Sequence, residues 1–207
     1  MDIAASYDSA ANAYARNLFH ELTQKPLDRH LLNRFAEALS GNGPVMDLGC
    51  GPGQVARYLH EHGISIHGID LSAEMVRCAT KLSPGINFQV GDMRALDSAD
   101  SSMSGIVAFY SIVHSTTAEL GPTFREWRRV LRPGGLLLLS FHIGDEVMHV
   151  EDLWGAPVNL DFRFHQPSEI VKLLRAAGLQ VTEHIEREPY EGAEYPGRRC
   201  YLFCVAA

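Results

Sequence analysis

The chain has little of what would take it out of the ordinary reduced, water-soluble class. It carries four cysteines in 207 residues, and Cys50, Cys78, Cys200 and Cys204 form no CxxC pair. That excludes a disulfide framework and favours a reducing, cytoplasmic compartment. No stretch approaches the roughly 18 consecutive apolar residues of a membrane span. The opening MDIAASYDSAANAY has early acids and no apolar core of the kind a signal peptide needs. Positive charge is also short: 18 Lys and Arg stand against 25 Asp and Glu, for a formal net charge of −7. A protein that grips a nucleic-acid backbone relies on clustered cations, so no nucleic-acid partner is expected. Arg125, Arg128, Arg129 and Arg132 do cluster, but at a spacing that reads as the solvated side of one helix. There is no internal repeat, no low-complexity tract and no His/Cys/carboxylate cluster at convincing metal spacing, so no metal is expected.

What is present is globular. The composition is 46% hydrophobic and 21% charged, and the length suits a single domain over 1–207 with a full core. The first forty residues read as helices. In the second of them Leu27, Leu31, Leu32, Phe35, Ala38 and Leu39 recur at helical spacing, and Gly41 and Gly43 end it. Short apolar runs then alternate with amphipathic helices. VMDL (45–48), ISIHGID (64–70), INFQV (86–90), GIVAFY (105–110) and LLLLSFHI (136–143) read as strands. Helices fall at 54–62, from Ser72 to about Leu82, and at 117–131. That alternation implies a parallel sheet covered on both faces. Residues 144–165 show no clean helix and are read as a lid on one end of the sheet. Pro167 suits the first turn of a further helix that stops at Gly178. The runs 179–188 and 200–206 read as two last strands, joined too tightly for a helical crossover and therefore antiparallel.

The chemistry sits at the strand ends. Asp47-Leu-Gly49-Cys-Gly51-Pro-Gly53-Gln follows a strand and opens a helix. Glycines there let the backbone turn sharply and approach a ligand, and the helix N-terminus favours a negative group. Asp70 ends the next strand, about twenty residues on, where a carboxylate can take both hydroxyls of a ribose. Gly91-Asp92-Met93 and Leu131-Arg132-Pro133-Gly134-Gly135 follow at later strand boundaries.

In that order, DLGCGPG, GIDLS, GDM and LRPGG resemble the motifs of the class I S-adenosylmethionine (SAM)-dependent methyltransferase family. The opening YDSAANAYAR resembles the N-terminal helix of its small-molecule branch (methyltransferase types 11 and 25), and the likeness runs from about Tyr7 to Val205. It implies a doubly wound, Rossmann-like α/β fold. The sheet would have seven strands, mostly parallel, with an antiparallel strand near the C-terminus and extra N-terminal helices over 1–40. It implies SAM as cofactor, with Asp47, Gly49 and Gly51 beside the methionine part, Asp70 on the ribose and Leu71 packed near it. Asp92 would face the adenine amino group, with Met93 beside it. Phe109 and Tyr110 would close the floor, and Tyr7 and Tyr14 would lie over the methionine end. The family's usual Phe-Asp before strand four is Met103-Ser104 here.

A dinucleotide-dependent oxidoreductase fits less well. The GxGxxG fingerprint begun at Gly49 ends on Gln54, and no Tyr-x-x-x-Lys pair appears. A non-catalytic SAM-binding module stays open. After strand four the chain reads Phe109-Tyr-Ser-Ile-Val-His114, not the Asn/Asp-Pro-Pro-Tyr of amino-methyltransferases. His114 and His142 fall just past strand ends, and each is either a general base or a local cap. Trp154, Phe162, Phe164 and His165 are candidates for the acceptor pocket, with the phenylalanines equally readable as core. Arg198 and Arg199 read as surface charges, with an acidic substrate group as the alternative. A small-molecule acceptor bound by a monomer or homodimer is the leading expectation, and a protein or tRNA acceptor the second.

Overall fold

The computed structural model describes residues 2–207. Two helices come first, α1 (Ile3–Leu18) and α2 (Pro26–Leu39), separated by a 3-10 turn at Glu21–Gln24. There follow β1 (Val45–Leu48), α3 (Gln54–Glu61), β2 (Ile66–Asp70), α4 (Ala73–Leu82), β3 (Asn87–Val90), β4 (Met103–Phe109), α5 (Thr117–Val130) and β5 (Leu131–His142). The last third holds β6 (Val147–Leu153), β7 (Ala156–Arg163), α6 (Pro167–Ala176), β8 (Leu179–Arg187) and β9 (Arg199–Ala206). Local chemistry sets the helix starts. Asp2 caps α1 by accepting Ala5 N–H at 3.0 Å, and Ser72 caps α4 by accepting Met75 N–H at 3.1 Å. Thr116 and Glu119 form a capping box on α5, and Pro167 opens α6.

The seven-stranded sheet has the order β3-β2-β1-β4-β5-β9-β8. The pairs β1–β2, β2–β3, β1–β4 and β4–β5 are parallel, and β9 runs antiparallel to both its neighbours. Strand order therefore reverses between β1 and β4, which opens a crevice beyond their carboxyl ends. Alternation along the strands divides the core into two layers. Met46, Leu48, Ile106, Leu137 and Leu139 pack on Phe124 and Trp127 of α5 and on Ile170 and Leu174 of α6. Val45, Val107 and Leu138 pack on Leu31, Leu32 and Phe35 of α2 and on Val55 and Leu59 of α3. Each fully buried side chain of this size contributes roughly 1.5–3 kcal/mol.

Two elements depart from the sequence reading. Residues 144–165 are mostly a β-hairpin, β6 against β7, with Trp154-Gly155 at its turn. Acids at Glu151 and Asp152 and wide exposure along β6 hide the alternation that a half-buried strand would show. β5 begins at Leu131, before Pro133-Gly134-Gly135, and a register shift against β4 between Met103 and Gly105 absorbs those residues. The hairpin packs on α1, where Val158 and Ala156 meet Ala10 and Ala13. Ser6 and Asn159 tie the two together, with Asn159 N–H donating to Ser6 Oγ at 3.1 Å. Among the described residues no helix is long and apolar enough to cross a membrane.

Candidate active site

The turn after β1 is built by three left-handed glycines, Gly49 (φ +68°), Gly51 (φ +52°) and Gly53 (φ +84°). The N–H groups of Gly49 and Cys50 both donate to Ile69 O, at 2.8 and 3.1 Å, which hooks the turn onto β2. Asp70, at the end of β2, closes the other side. Its Oδ2 accepts Gly51 N–H at 2.8 Å and its Oδ1 accepts Ser72 N–H at 2.9 Å. Burial and Asp8 raise its carboxyl above the usual range, while these two backbone donors pull it back. Asp8 of α1 is itself fixed, accepting Ser72 Oγ–H at 2.6 Å and Glu74 N–H at 3.0 Å. The N-terminal helix is thereby clamped across the end of α4, directly above Asp70.

A cavity of about 360 Å³ opens here. Gly49, Gly51, Asp70, Leu71, Asp92 and Met93 line it from the sheet, with Phe109 and Tyr110 from the end of β4. Tyr7 and Tyr14 close it from α1, and Trp154 and Phe162 from the hairpin. These roof rings meet edge to face: Tyr7 with Tyr14 at 6.0 Å, Tyr14 with Trp154 at 5.6 Å, and Tyr7 with His114 at 5.4 Å. Burial raises both tyrosines far above the ordinary phenol range, so they stay neutral. Asp92 is held by Arg94, whose Nη2 donates to Oδ2 at 2.7 Å, and this pairing keeps its carboxyl below the usual range.

Both candidate histidines face the same cavity, in unlike settings. His114 Nδ1 lies 2.8 Å from Asp161 O, and its Nε2 lies 2.8 Å from Tyr7 Oη. Burial lowers its pKa first, and the Asp161 carbonyl partly restores it. His142 is stacked on Phe164 (centroids 5.3 Å apart) and tilted over Tyr110 (5.1 Å). Among the described residues its Nδ1 has no hydrogen-bond partner. Burial, then Arg199 and Lys25, push its pKa down to about 3.

Known proteins bear on this geometry. A methyltransferase-domain family model matches residues 45–135. The malonyl-[acyl-carrier protein] O-methyltransferase of Dechloromonas aromatica is 30% identical over 196 residues, covering 87% of this chain and 68% of that protein. The chain belongs to the class I SAM-dependent methyltransferase family. The same-named protein of Pseudescherichia vulneris is 28% identical over 163 residues, covering 79% of this chain and 61% of its own length. The chain thus spans about three fifths of several curated relatives. Among solved structures, the CcbJ methyltransferase from Streptomyces caelestis superposes over 100% of both chains with a TM-score of 0.73 at 18% identity. The [4+2]-cyclase SpnF superposes at 0.67 with 23% identity, over 86% of this chain and 80% of its own. Likeness at that level carries the fold alone.

The cavity of this family member fits SAM on its own terms. Asp70 spends part of its acceptor capacity on the backbone, at Gly51, Ser72 and Leu71, and what remains suits ribose hydroxyls. Beside the glycine turn, Gln54 Oε1 and Ser111 Oγ are buried without partners among the described residues, and both residues line the cavity. A zwitterionic amino-acid end supplies the donors and acceptors they lack.

Three expected site residues lie elsewhere. Asp47 is 2% exposed and points beneath the turn, where it accepts Ala56 N–H in the first turn of α3. It props the glycine turn and does not border the cavity. Phe164 stacks behind His142, one layer from the cavity wall, and His165 is buried with Nε2 3.3 Å from Ile112 O. Their chain turns inward after β7, where Ile143 and His165 form a bridge between the hairpin and the sheet.

Sequence reasoning also missed a buried ionic cluster at the cavity's far end. Glu194 pairs with Lys25 (3.6 Å), Arg187 and Arg199 (3.1 Å). Asp28 Oδ2 accepts from Arg187 at 3.0 Å and from Tyr201 Oη at 2.9 Å. Arg199, read as a surface charge, is 1% exposed. Arg198 beside it is exposed, pairing with Glu186 and Glu188. Nothing local marks these residues: the members lie 159 positions apart in sequence for Asp28 and Arg187. The strained backbone of Tyr110 (φ +54°) was the other silent feature, and its hydroxyl reaches Tyr201 Oη at 2.9 Å.

Proposed function

We propose that this chain transfers the methyl group of SAM to a small-molecule acceptor. One observation carries the reading. The glycine turn with Asp70 and the orientable base His114 open into the same aromatic-roofed cavity. Asp70 holds the ribose, Leu71 and Met93 pack beside the adenosine, Asp92 faces the adenine edge, and the Gly49–Gly51 turn with Gln54 receives the methionine end. SAM supplies an already activated methyl on its sulfonium. The protein's part is then to hold the acceptor in line and exclude water, which accounts for up to roughly 7–11 kcal/mol of barrier in well-oriented reactions. Neutral Tyr7 and Tyr14 place oxygen dipoles, not charges, along that path. His114 is the base: its Nδ1 is anchored on Asp161 O and its Nε2 meets the hydroxyl of Tyr7, which lines the cavity. His142 stays a neutral imidazole near neutral pH, with one N–H and one bare nitrogen, and is a wall and hydrogen-bond partner for the acceptor.

A second reading rests on the relatives named malonyl-[acyl-carrier protein] O-methyltransferase, an acyl group presented on a carrier protein. Isothermal titration with SAM and, separately, NADH tests the main claim. Saturable SAM binding without NADH binding is expected. A folded, ligand-free sample that ignores SAM overturns it. Methylation of a malonyl carrier protein in preference to small acceptors would move the reading to the second.

A further inference from the structure

Tyr7 and His114 come from elements 107 residues apart and meet at 2.8 Å. The direction of that hydrogen bond is fixed by the other side of the ring. The partner of His114 Nδ1 is a backbone carbonyl, Asp161 O, which can only accept. Nδ1 therefore carries the hydrogen and Nε2 is a bare acceptor. Tyr7 donates its hydroxyl hydrogen to Nε2, which leaves the lone pairs of its own oxygen unused. Three separate elements, α1, the segment after β4 and the hairpin strand β7, thus converge to hold one defined tautomer.

The surroundings select the acceptor. Phe162 meets the His114 ring edge to face at 5.0 Å, and Val113, Leu153 and Trp154 add apolar wall. Among the described residues lining the cavity, the cations are Lys25, Arg94 and Arg199, and each is already paired with a carboxylate: Glu21, Asp92 and Glu194 respectively. No cation stands by to neutralise an anionic acceptor, and an anion needs no base. A neutral hydroxyl needs both an acceptor for its hydrogen and an apolar slot for its body.

Building on the methyl-transfer reading, we propose that the acceptor is an uncharged hydroxyl on an apolar or aromatic molecule, and that Tyr7 relays its proton to His114. The acceptor O–H donates to Tyr7 Oη. As the new O–CH3 bond forms and the S–CH3 bond of SAM breaks, the acceptor proton passes to Tyr7 Oη. The hydrogen of Tyr7 passes to His114 Nε2. The products are a methyl ether, S-adenosylhomocysteine and an imidazolium. Its proton leaves to water once the ether departs, which returns Tyr7 to its starting state.

The test uses the full chain saturated with S-adenosylhomocysteine, ring-nitrogen NMR of the histidines, and two probes of matched body, 4-methylphenol and 4-methylbenzoate. Before any probe is added, His114 is expected as the Nδ1–H tautomer. An Nε2–H tautomer overturns the pair outright, with no variant needed. The phenol should then shift the His114 resonances saturably and bind at least about tenfold tighter than the benzoate, the worth of one well-placed hydrogen bond. Tyr7→Phe and, independently, His114→Gln should each remove about tenfold of that binding. With SAM in place of the product, the bound phenol should be converted to its methyl ether. Equal binding of the two probes, a His114 signal that never responds, or a bound phenol left unmethylated would each overturn the inference. Failure of S-adenosylhomocysteine itself to bind strikes at the methyltransferase reading instead.

Discussion

A Cβ added to Gly49 would come within 2.5 Å of Ser111 Cβ. The turn after β1 and the segment after β4 are therefore in contact across the crevice, with room for hydrogen only. Gly51, two residues on, has the same left-handed backbone but meets nothing nearer than a Tyr14 ring carbon at 3.8 Å. The two positions separate conformational strain from overpacking. Gly51→Ala should cost only the left-handed term, about 1 kcal/mol. Gly49→Ala should cost that and the clash, about 3 kcal/mol in all. Thermal unfolding should show a Tm about 3 °C lower for the first and roughly 10 °C lower for the second. Equal losses would mean that Ser111 yields freely and the crevice is not packed as described.

Asp70 has two tasks, and its variants should divide them. It accepts backbone N–H groups that shape the turn, among them Gly51 and Ser72, and it lines the cavity. Hydrogen bonds to a charged group are worth roughly 1.5–3 kcal/mol each, so Asp70→Ala should weaken SAM binding at least about 100-fold. Asp70→Asn keeps an oxygen for one donor and should fall between. Calorimetric titration decides the matter, and a folded Asp70→Ala protein with wild-type affinity would remove the ribose assignment.

The fold was legible because its signals are local. VMDL followed by three glycines, apolar runs of strand length, and Ser72 and Pro167 at helix starts each act within a few residues. The sheet side of the cavity was legible for the same reason, since Gly49, Asp70, Asp92 and Tyr110 are strand-end residues whose place follows from the topology. What was hidden depends on partners distant in the chain. Asp47 and Gly49 sit two apart in one motif, yet the first points under the turn and the second into the crevice. Arg199 reads as exposed until Glu194 and the carbonyls of Tyr195 and Gly197 are folded around it. The β6–β7 hairpin carries its acids on the solvent side, so its period is blurred, and only its packing on α1 brings Trp154 and Phe162 to the cavity.

The ionic cluster at the far end makes its own prediction. Glu194 is the shared partner of Lys25, Arg187 and Arg199 and also accepts Tyr190 N–H at 2.7 Å. Removing one partner of a buried pair leaves uncompensated charge and costs about 3–5 kcal/mol. Glu194→Gln should thus lower Tm by roughly 10 °C, and the 188–198 segment should become the first site of proteolytic cleavage. A Tm within a degree or two of wild type would show that the three cations find other partners or water.

Asp47 offers the last test, through pH. Its carboxyl is buried, and burial, with Asp70 adding repulsion, raises its pKa to about 7 against the pull of the Ala56 N–H. A folded-state pKa above the unfolded one means that the folded protein holds the proton more tightly. Below about pH 4 both states are protonated and Asp47 costs nothing; between there and about pH 7 the cost grows, and above that it is fully present. This net rise, with the pull of α3 through Ala56 already included, corresponds to roughly 4 kcal/mol. Asp47→Asn keeps an oxygen for Ala56 N–H and has no charge to bury. It should therefore leave ligand-free stability unchanged near pH 4 and raise it by up to about 4 kcal/mol at pH 8. Denaturant unfolding of both proteins at the two pH values gives the answer. A variant less stable than wild type at pH 8 would show that the carboxylate is ionised and welcome beneath the turn, held there by the N-terminus of α3.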